Sequence, residues 1–550
     1  MVIYKLPYLI ILACVCQLQL SAQQIKVPSK TDSLKGSITI GREWWDLKHY
    51  AIDIHPDFIK KSLTGRNKIA FKVLQENRNA MMQIDLQSPL VIDSAIFGGQ
   101  KVSIERVGEA WFLKLPNLKM KAELAVDIYY SGTPKESFNP PWDSGISWTT
   151  DSLGRPWITM GVQGLGASVW LPCKEHQSDE PEEGMSISIT IPDSLTAVAN
   201  GRLQRVTTNI KGTSTYEWAV HSPINNYGIA FYVGKYTEVN DVYKGEKGSL
   251  DTDYWVLDYN KHKVQSYLKI EAIKTLEAFE HWFGPYPFYK DSFKMVETPY
   301  PGMEHQSAIA YGNGFKYGRV KANNLSYWDL KTDRLIVHEI AHEWFGNSVT
   351  TNDITEQWIH EGFAGYAEEL FIEYQYGKKA ANEFFEARTV GKTKNVEPLI
   401  RRYGIFETGG SYVYLRGWKL VHMLRTIVDN DEKFRKILRK ICNRFYHESI
   451  SSAQLESLFT KLSGRDLRLV FNQYLRTSNV PVLEYQLVGD TLRFRYTNCI
   501  PKFTMPIKTN LTGKQWLFPT TSWTELKLNT FNNSTLHLAA DFYVEVKNSN

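Results

Sequence analysis

Two histidines bracket a glutamate in the string His-Glu-Ile-Ala-His at residues 338 to 342. On a helix, residues four apart lie on one face, so His338 and His342 can aim both imidazoles at one metal ion while Glu339 lies beside it. Glu361 follows after eighteen intervening residues. Two histidines and one carboxylate leave an open tetrahedral position for water, as in a catalytic zinc site. We predict one zinc ion per chain, bound by His338, His342 and Glu361, with Glu339 as the general base.

Chance and a purely structural metal site both account poorly for this pattern. With 13 histidines in 550 residues, composition alone would produce the string and a correctly spaced glutamate in about 0.1 in a hundred chains. A purely structural zinc site is usually cysteine-rich and closed, whereas this set keeps an open position. The third histidine of the pattern His-x-x-Gly-x-x-His, used by another class of metalloproteases, does not follow His342. Glu361 is therefore the predicted third ligand.

The segments around these residues resemble a known family. His338 to Asn347 reads His-Glu-Ile-Ala-His-Glu-Trp-Phe-Gly-Asn, and Trp358 to Ala364 contains His360 where the family more often has asparagine. Pro301 to His305 is similar to the family's Gly-x-Met-Glu-Asn segment. On these segments the chain is identified as a member of the gluzincin metallopeptidases, among the zinc aminopeptidases related to aminopeptidase N and leukotriene hydrolase.

The resemblance implies an exopeptidase. The family's glutamate, here Glu304 after Gly302 and Met303, holds the free α-ammonium of the substrate. A carboxylate beside the metal pairs with a cation and blocks the groove beyond it, so that only a chain end fits. The departure in this segment is His305 in the asparagine position. It affects contact with the substrate backbone and leaves Gly302, Met303 and Glu304 in place.

Two further residues are assigned by local similarity to the family. Tyr414 in Tyr-Leu-Arg-Gly resembles the tyrosine of Tyr-Glu-Lys-Gly, which donates a hydrogen bond to the oxyanion. Gln163 precedes Trp-Leu-Pro-Cys, which looks like the family's Phe-Pro-Cys segment, where a glutamine helps to bind the substrate amine. In the implied mechanism zinc and Glu339 activate water, and zinc and Tyr414 polarise the carbonyl. Glu304, Gln163 and Glu361 fix the free N-terminus.

The flanking residues predict the helices that carry these side chains. Leu335, Ile340 and Phe345 surround the two histidines with apolar helical spacing, and Gly346 with the asparagine after it is a stop signal. In residues 361–374, apolar side chains recur at spacings of three and four. The third ligand is therefore expected on a second packed helix.

Hydrophobic periodicity changes twice and divides the chain. Alternation predicts an N-terminal β-sheet domain over residues 23–238, with a tight turn at Asn200-Gly201. Helical spacing predicts a catalytic domain over 239–478, and returning alternation predicts a small C-terminal β-sandwich over 479–550. The predicted fold class is multidomain α+β, and the resemblance implies a thermolysin-like, mainly helical catalytic domain.

Residues 1–22 have the pattern of a signal peptide. Lys5 precedes an apolar run from Leu6 to Val15, which is too short to cross a bilayer comfortably, and no other stretch approaches 18 apolar residues. We expect no transmembrane segment and export to the periplasm or the extracellular space. A lipid-anchored form through Cys14 or Cys16 is the alternative.

Composition excludes several functions. The chain has 64 basic and 59 acidic residues, a net charge of +5 and no basic stripe, which argues against nucleic-acid binding. Beyond residue 22 the cysteines are too few for a disulfide scaffold.

The predicted function is a zinc aminopeptidase acting on peptides with a free N-terminus. The alternatives are a zinc endopeptidase, in which Glu304 does not cap the groove, and a peptide-binding protein without catalysis. The oligomeric state is not predicted.

Overall fold

The computed structural model describes residues 29–77, 81–318, 325–389, 397–407, 409–511, 516–528 and 536–550. The predicted signal peptide at residues 1–22, with Cys14 and Cys16, lies outside these ranges. Within them, no helix combines the length and the apolar character needed to cross a lipid bilayer.

The first part of the chain is built mainly from strands. It starts with helix α1 (Lys30–Gly36), which is capped by Ser29. The strands that follow are β1 (Trp45–Asp57), β2 (Ser62–Val73), β3 (Met82–Asp85), β4 (Val91–Phe97), β5 (Gln100–Lys101), β6 (Ile104–Val107), β7 (Ala110–Leu113), β8 (Glu123–Gly132), β9 (Gly145–Thr150), β10 (Pro156–Gly161), β11 (Met185–Pro192), β12 (Thr196–Ala199), β13 (Arg202–Asn209), β14 (Thr213–Val220) and β15 (Phe231–Gly234). They form a long mixed sheet in the order β13-β14-β11-β1-β2-β8-β4-β5, a second sheet in the order β12-β15-β10-β9 and a small sheet in the order β3-β7-β6.

The alternating apolar residues of this part face a common core. Residues 50–54 of β1 pair in parallel with residues 185–189 of β11, and the apolar side chains at alternate positions of both strands are buried. The Asn200-Gly201 turn connects β12 to β13, which lie in different sheets, so it transfers the chain between sheets. Gly201 has φ +74°, and an added Cβ would collide with the carbonyl oxygen of Ala219.

A mixed sheet leads into the helical part. Its strands are β16 (Tyr236–Gly245), β17 (Gly248–Leu257), β18 (Phe293–Glu297), β19 (Gly302–Met303) and β20 (Ile309–Tyr311). They are ordered β16-β17-β18-β20-β19. Strand β16 crosses the predicted boundary between the N-terminal domain and the catalytic domain at residues 238 and 239. The alternation of apolar residues indicates that a segment is a strand, but it does not indicate which sheet the strand joins.

Helices dominate the chain from residue 261 to residue 476. They are α2 (Lys261–Lys263), which continues through a π-helical turn into α3 (Lys269–Phe283), then α4 (Arg334–Ala341), α5 (Trp358–Tyr376), α6 (Lys378–Thr389), α7 (Tyr412–Val428), α8 (Asp431–Arg444), α9 (Ser452–Ser463) and α10 (Arg468–Arg476). A short parallel pair, β21 (Val349–Thr351) with β22 (Glu448–Ile450), ties the segment after α4 to the segment after α8.

Strands return at the C-terminus. They are β23 (Val482–Val488), β24 (Thr491–Thr497), β25 (Ile507–Lys508), β26 (Trp516–Leu517), β27 (Thr524–Lys527) and β28 (Glu545–Asn548). They form a mixed sheet in the order β27-β24-β23-β28 and a separate pair, β25-β26. The buried apolar side chains of β23 and β24 belong to the same hydrophobic cluster as those of helices α3 to α10. The predicted multidomain α+β class is confirmed.

One polar contact also fastens the C-terminal strands to the helical part. His422 on α7 is buried, and its two ring nitrogens each lie 2.8 Å from a carboxylate oxygen. One carboxylate is that of Glu369 on α5, and the other is that of Asp541, which precedes β28. Burial disfavours a charged imidazole, but the two carboxylates more than offset it and raise the pKa of His422 to about 9.

Candidate active site

The predicted metal ligands are carried by α4 and the first turn of α5. Helix α4 begins after Asp333, whose carboxylate accepts hydrogen bonds from the backbone N–H groups of Leu335 and Ile336. The helix ends at Ala341, so His342 lies at its C-cap rather than within it. Helix α5 begins at Trp358, three residues earlier than the predicted stretch.

The three ligand side chains converge on one point. The Nε2 atoms of His338 and His342 are 3.3 Å apart, and they lie 3.4 Å and 3.5 Å from Oε2 of Glu361. Tetrahedral zinc with bonds of about 2.0–2.1 Å places its ligand atoms about 3.3–3.4 Å apart. Oε2 of Glu361 is also buried without a hydrogen-bond partner, a costly arrangement that a bound cation would relieve. The donor set therefore fits zinc.

Neighbouring groups orient both imidazoles. Nδ1 of His338 lies 3.1 Å from the carboxylate of Glu368, which also accepts hydrogen bonds from Arg334. Nδ1 of His342 lies 3.0 Å from the carbonyl oxygen of Phe345. Each Nδ1 therefore donates to an oxygen, which leaves Nε2 of each ring with its lone pair facing the metal position.

The electrostatics of the glutamates differ in a way that suits separate roles. Burial favours the neutral acid at Glu361, but the interaction with the imidazoles of His338 and His342 holds the pKa of its carboxyl below the ordinary value. Burial raises the pKa of Glu339 to about 8, with Glu304 acting in the same direction. A divalent cation beside Glu339 would act in the opposite direction. Glu361 is therefore the ligand that carries a negative charge. The pKa of Glu339 instead depends on opposing neighbours, because burial and Glu304 raise it and a metal ion would lower it.

The close approach of β19 positions Glu339. A Cβ added to Gly302 would lie 2.7 Å from Oε1 of Glu339 and 2.9 Å from its Cδ and Cγ atoms. The absence of a side chain at Gly302 therefore leaves the space that the Glu339 carboxylate occupies.

Glu304 extends from the segment after β19 toward the metal position. It is 4% exposed, and its carboxylate lies within 4.8 Å of ligand atoms of Glu339 and His342. Asn347 donates a hydrogen bond of 2.9 Å to the backbone carbonyl of Glu304, which fixes this segment against the end of α4. Glu304 is thus a buried carboxylate that lies beside the metal position but is not one of the three converging ligands.

Gln163 and Tyr414 meet beside the ligand Glu361. The side-chain amide of Gln163 donates to the hydroxyl of Tyr414 at 2.9 Å and to Oε1 of Glu361 at 3.2 Å. Helices α5 and α7 approach closely here because glycines face each other: a Cβ on Gly362 would lie 2.8 Å from Cα of Gly417. This contact brings Tyr414 to the ligand Glu361.

These side chains line one cavity of about 370 Å³. Its wall contains all of the predicted site residues: Gln163, Gly302, Met303, Glu304, His338, Glu339, His342, Glu361 and Tyr414. The rest of the wall includes Pro141, Trp142, Arg334, Arg388 and Trp418. The structure therefore brings together at one site every residue that the sequence selected.

The two histidines that depart from the family's pattern are packed residues. His305 lies with Nδ1 2.6 Å from the hydroxyl of Tyr232, and burial lowers its pKa to about 3. His360 stacks on Tyr227 and accepts a hydrogen bond from the backbone N–H of Thr351, and burial likewise lowers its pKa to about 3. Both imidazoles are neutral and are held by these neighbours rather than by the metal position.

Known proteins with related sequences identify the catalytic module. Residues 269–474 match the peptidase family M1 domain. The chain is 20% identical over 460 residues to aminopeptidase M1-D of Oryza sativa subsp. japonica and 24% identical over 484 residues to aminopeptidase N of Haemonchus contortus. The chain contains an M1 peptidase domain.

The extent of these similarities differs between relatives. Each alignment covers 80% of this chain, but only 51% of the rice protein and 46% of the Haemonchus protein. The chain thus spans about half the length of the curated relatives that it matches. An M1 zinc metallopeptidase mutant from Deinococcus radiodurans, bound to a Tyr-Ser-Ala substrate, shares the fold with a TM-score of 0.66 at 21% identity. That match covers 80% of this chain and 96% of the Deinococcus chain.

Sequence reasoning missed three residues that support this site. Glu368 orients His338, Asn347 holds the backbone of Glu304, and Ser144 donates to the backbone carbonyl of Gln163. Glu368 follows Glu361 by two helical turns, so the helical spacing could have placed both on one face. The sequence marks Asn347 only as a stop signal, and no local signal distinguishes Ser144.

Proposed function

We propose that this protein is a zinc-dependent aminopeptidase that removes single residues from the free N-terminus of peptides. The observation that carries the proposal is the buried carboxylate of Glu304, which lines the metal cavity but is not among the three converging ligand groups. A buried carboxylate needs a cationic or hydrogen-bonding partner. The α-ammonium of a peptide would supply one, which favours substrates that begin inside this cavity.

The residues of the chain divide the remaining work. A zinc ion held by His338, His342 and Glu361 would supply a Lewis acid that polarises the peptide carbonyl and makes water easier to deprotonate. Glu339 takes the proton from the attacking water and delivers it to the leaving amine. Because the hydroxyl of Tyr414 accepts from Gln163, its own proton remains to be donated to the developing oxyanion.

Substrate placement depends on two polar side chains of the cavity wall. Glu304 and Gln163 would hold the ammonium group, and the first peptide carbonyl would then lie within reach of Glu339 and Tyr414, which line the same cavity. Fixing both reactants in this way replaces an encounter between free molecules with a reaction inside one complex. The aminopeptidase relatives support this assignment.

The test compares free and N-acetylated forms of the same peptides, with and without a zinc chelator. The proposal predicts cleavage of the free peptides alone, its loss with chelator, and its severe loss in Glu304→Gln. The matched variant Glu386→Gln changes an exposed glutamate on α6 and should behave as the wild type. Equal cleavage of acetylated peptides would favour a zinc endopeptidase. Zinc binding without turnover of any peptide would favour a peptide-binding protein.

Export is part of the proposal and rests on the pattern of residues 1–22. The mature chain is expected to begin near Gln23 in a periplasmic or extracellular fraction. N-terminal sequencing of the protein from separated cell fractions would check this. A lipid-modified Cys14 or Cys16 in the membrane fraction would support the anchored form instead.

A further inference from the structure

Helix α1 is held both by the N-terminal β part and by the segment that precedes α7. Arg42, which is fully buried, donates hydrogen bonds to the carbonyl oxygens of Lys35 and Ser37 at 3.1 Å and 2.7 Å. The backbone N–H of Phe406 donates to the carbonyl oxygen of Asp32 at 3.2 Å. The end of α1 is therefore fixed by two separate parts of the chain.

The last residues of α1 pack closely on the segment before α7. A Cβ added to Gly36 would collide with the backbone of Ile405 and Phe406. The side chain before it, Lys35, lies over the ring of Phe406, and its Nζ atom is 3.6 Å from the ring centre. This packing fixes the direction of the Lys35 side chain.

Lys35 lines a second, smaller cavity that borders Gln163. The cavity has a volume of about 40 Å³, and its wall includes Lys35, Gln163 and Glu175. Gln163 also lines the larger cavity that contains the metal position. The Nζ atom of Lys35 is buried and makes no hydrogen bond within the described part of the chain. A buried ammonium group of this kind needs a compensating negative charge.

The carboxylate of Glu175 supplies this negative charge. Burial lowers the pKa of Lys35 to about 8, and Glu175 is the group that opposes this effect most strongly. Burial also raises the pKa of Glu175, and the ammonium group of Lys35 is the neighbour that opposes this effect most strongly. Each side chain therefore stabilises the charged form of the other.

Glu175 in turn contacts the loop that carries Gln163. Its Oε2 atom accepts a hydrogen bond of 2.6 Å from the backbone N–H of Ser168. A Cβ added to Gly166 would collide with the same carboxylate, so the loop packs directly on Glu175. The N–H of Gly166 donates to the carbonyl oxygen of Val162 at 2.8 Å, which closes a turn around Gln163. The position of Gln163 is therefore coupled to the charged carboxylate of Glu175.

We propose that Lys35 is a positioning residue for the substrate-binding site: its ammonium group stabilises the charge of Glu175, and Glu175 fixes the loop that carries Gln163. This inference rests on the proposed function, because it takes Gln163 to bind the ammonium group of the substrate. It gives α1 a role in substrate binding, although the wall of the metal cavity contains no residue of this helix.

The first test is a double-mutant cycle, measured with the aminoacyl p-nitroanilide that the wild type cleaves fastest. Lys35→Met removes the charge from a side chain of similar length, and it should lower kcat/KM about tenfold. In the Gln163→Ala background the same change should lower kcat/KM by less than about twofold, because Lys35 acts through Gln163. Lys30→Met changes an exposed lysine of the same helix and should behave as the wild type. Additive effects of Lys35→Met and Gln163→Ala would overturn the proposal.

The second test requires no turnover. Hydrogen exchange at the backbone amides of residues 164–169, followed by mass spectrometry, should be about fivefold faster or more in Lys35→Met, because Ser168 loses a charged acceptor. Exchange should be unchanged in Lys30→Met. Glu175→Gln removes the other charge of the pair and should reproduce the faster exchange, so the test holds even if Lys35→Met does not fold.

The two proposals fail in different ways. Unchanged exchange of residues 164–169 in Lys35→Met and Glu175→Gln would overturn the role of Lys35, whatever the activity of the wild type. Failure of the wild type to cleave any p-nitroanilide or peptide would instead contradict the proposed aminopeptidase activity.

Discussion

Substituting Gly302 by alanine should displace the carboxylate of Glu339, the proposed general base, while leaving the metal site intact. The new Cβ would lie 2.7 Å from Oε1 and 2.9 Å from Cδ and Cγ of Glu339. Non-bonded carbon atoms prefer about 3.5–4.0 Å, so the carboxylate must move by roughly 0.6–1 Å. A displacement of about 1 Å at a reacting group can cost about 100-fold in rate. We expect kcat to fall about 10-fold to 100-fold.

The assay combines steady-state hydrolysis of an aminoacyl p-nitroanilide with zinc analysis and thermal melting. Zinc content should stay at one per chain, because the added methyl group faces Glu339 and not the three ligands. Gly365→Ala is the matched control: it adds a Cβ to another glycine of the same cavity, where the nearest atom would be 3.4 Å away. Full activity in Gly302→Ala, or loss of zinc in place of loss of kcat, would refute the assignment of Glu339.

Three further outcomes are expected. Glu368→Gln should weaken zinc binding about 10-fold to 100-fold in competition with a chelator, because His338 loses the carboxylate that orients it; unchanged affinity would contradict this role. Tyr414→Phe should lower kcat about 100-fold to 1,000-fold with little change in zinc content, since an oxyanion donor is removed; a near-normal kcat would place the donor elsewhere. The pKa of His422 rises from an ordinary 6.5 to about 9 on folding. The protonated imidazole therefore contributes about 3 kcal/mol to the free energy of unfolding. This contribution is complete below pH 6.5 and is lost as the pH rises through 9. Melting curves of wild type and His422→Gln should therefore converge with rising pH, and a constant difference would exclude this linkage.

The metal site could be predicted from sequence because helical periodicity fixes its geometry. His338 and His342 share a helix face whatever the rest of the fold, and they lie 3.3 Å apart as expected for ligands of one ion. Glu304, Gln163 and Tyr414 could be placed only through the resemblance to the family. They come from separate elements, and no periodicity relates residues that lie so far apart along the chain.

Several features of the site depend on tertiary contacts that sequence patterns do not record. The sheet of β16–β20 brings strands into the part of the chain predicted to be mainly helical, and it supplies Gly302 and the segment that holds Glu304. The hydrogen bond between His338 and Glu368 likewise requires the packing of α4 against α5. Strands β1, β11 and β24, by contrast, follow from simple alternation, because one face of each is more deeply buried than the other.

The facing glycines of α5 and α7 restrict how this protein can be altered by evolution or design. A side chain at Gly362 or Gly417 would push apart the helix that carries a metal ligand and the helix that carries Tyr414. In most packed pairs, one residue can grow while its neighbour shrinks, but neither glycine has any atoms to give up. No second substitution at the facing position can therefore compensate for a side chain added at Gly362 or Gly417. Each such substitution would impair metal binding and oxyanion stabilisation together.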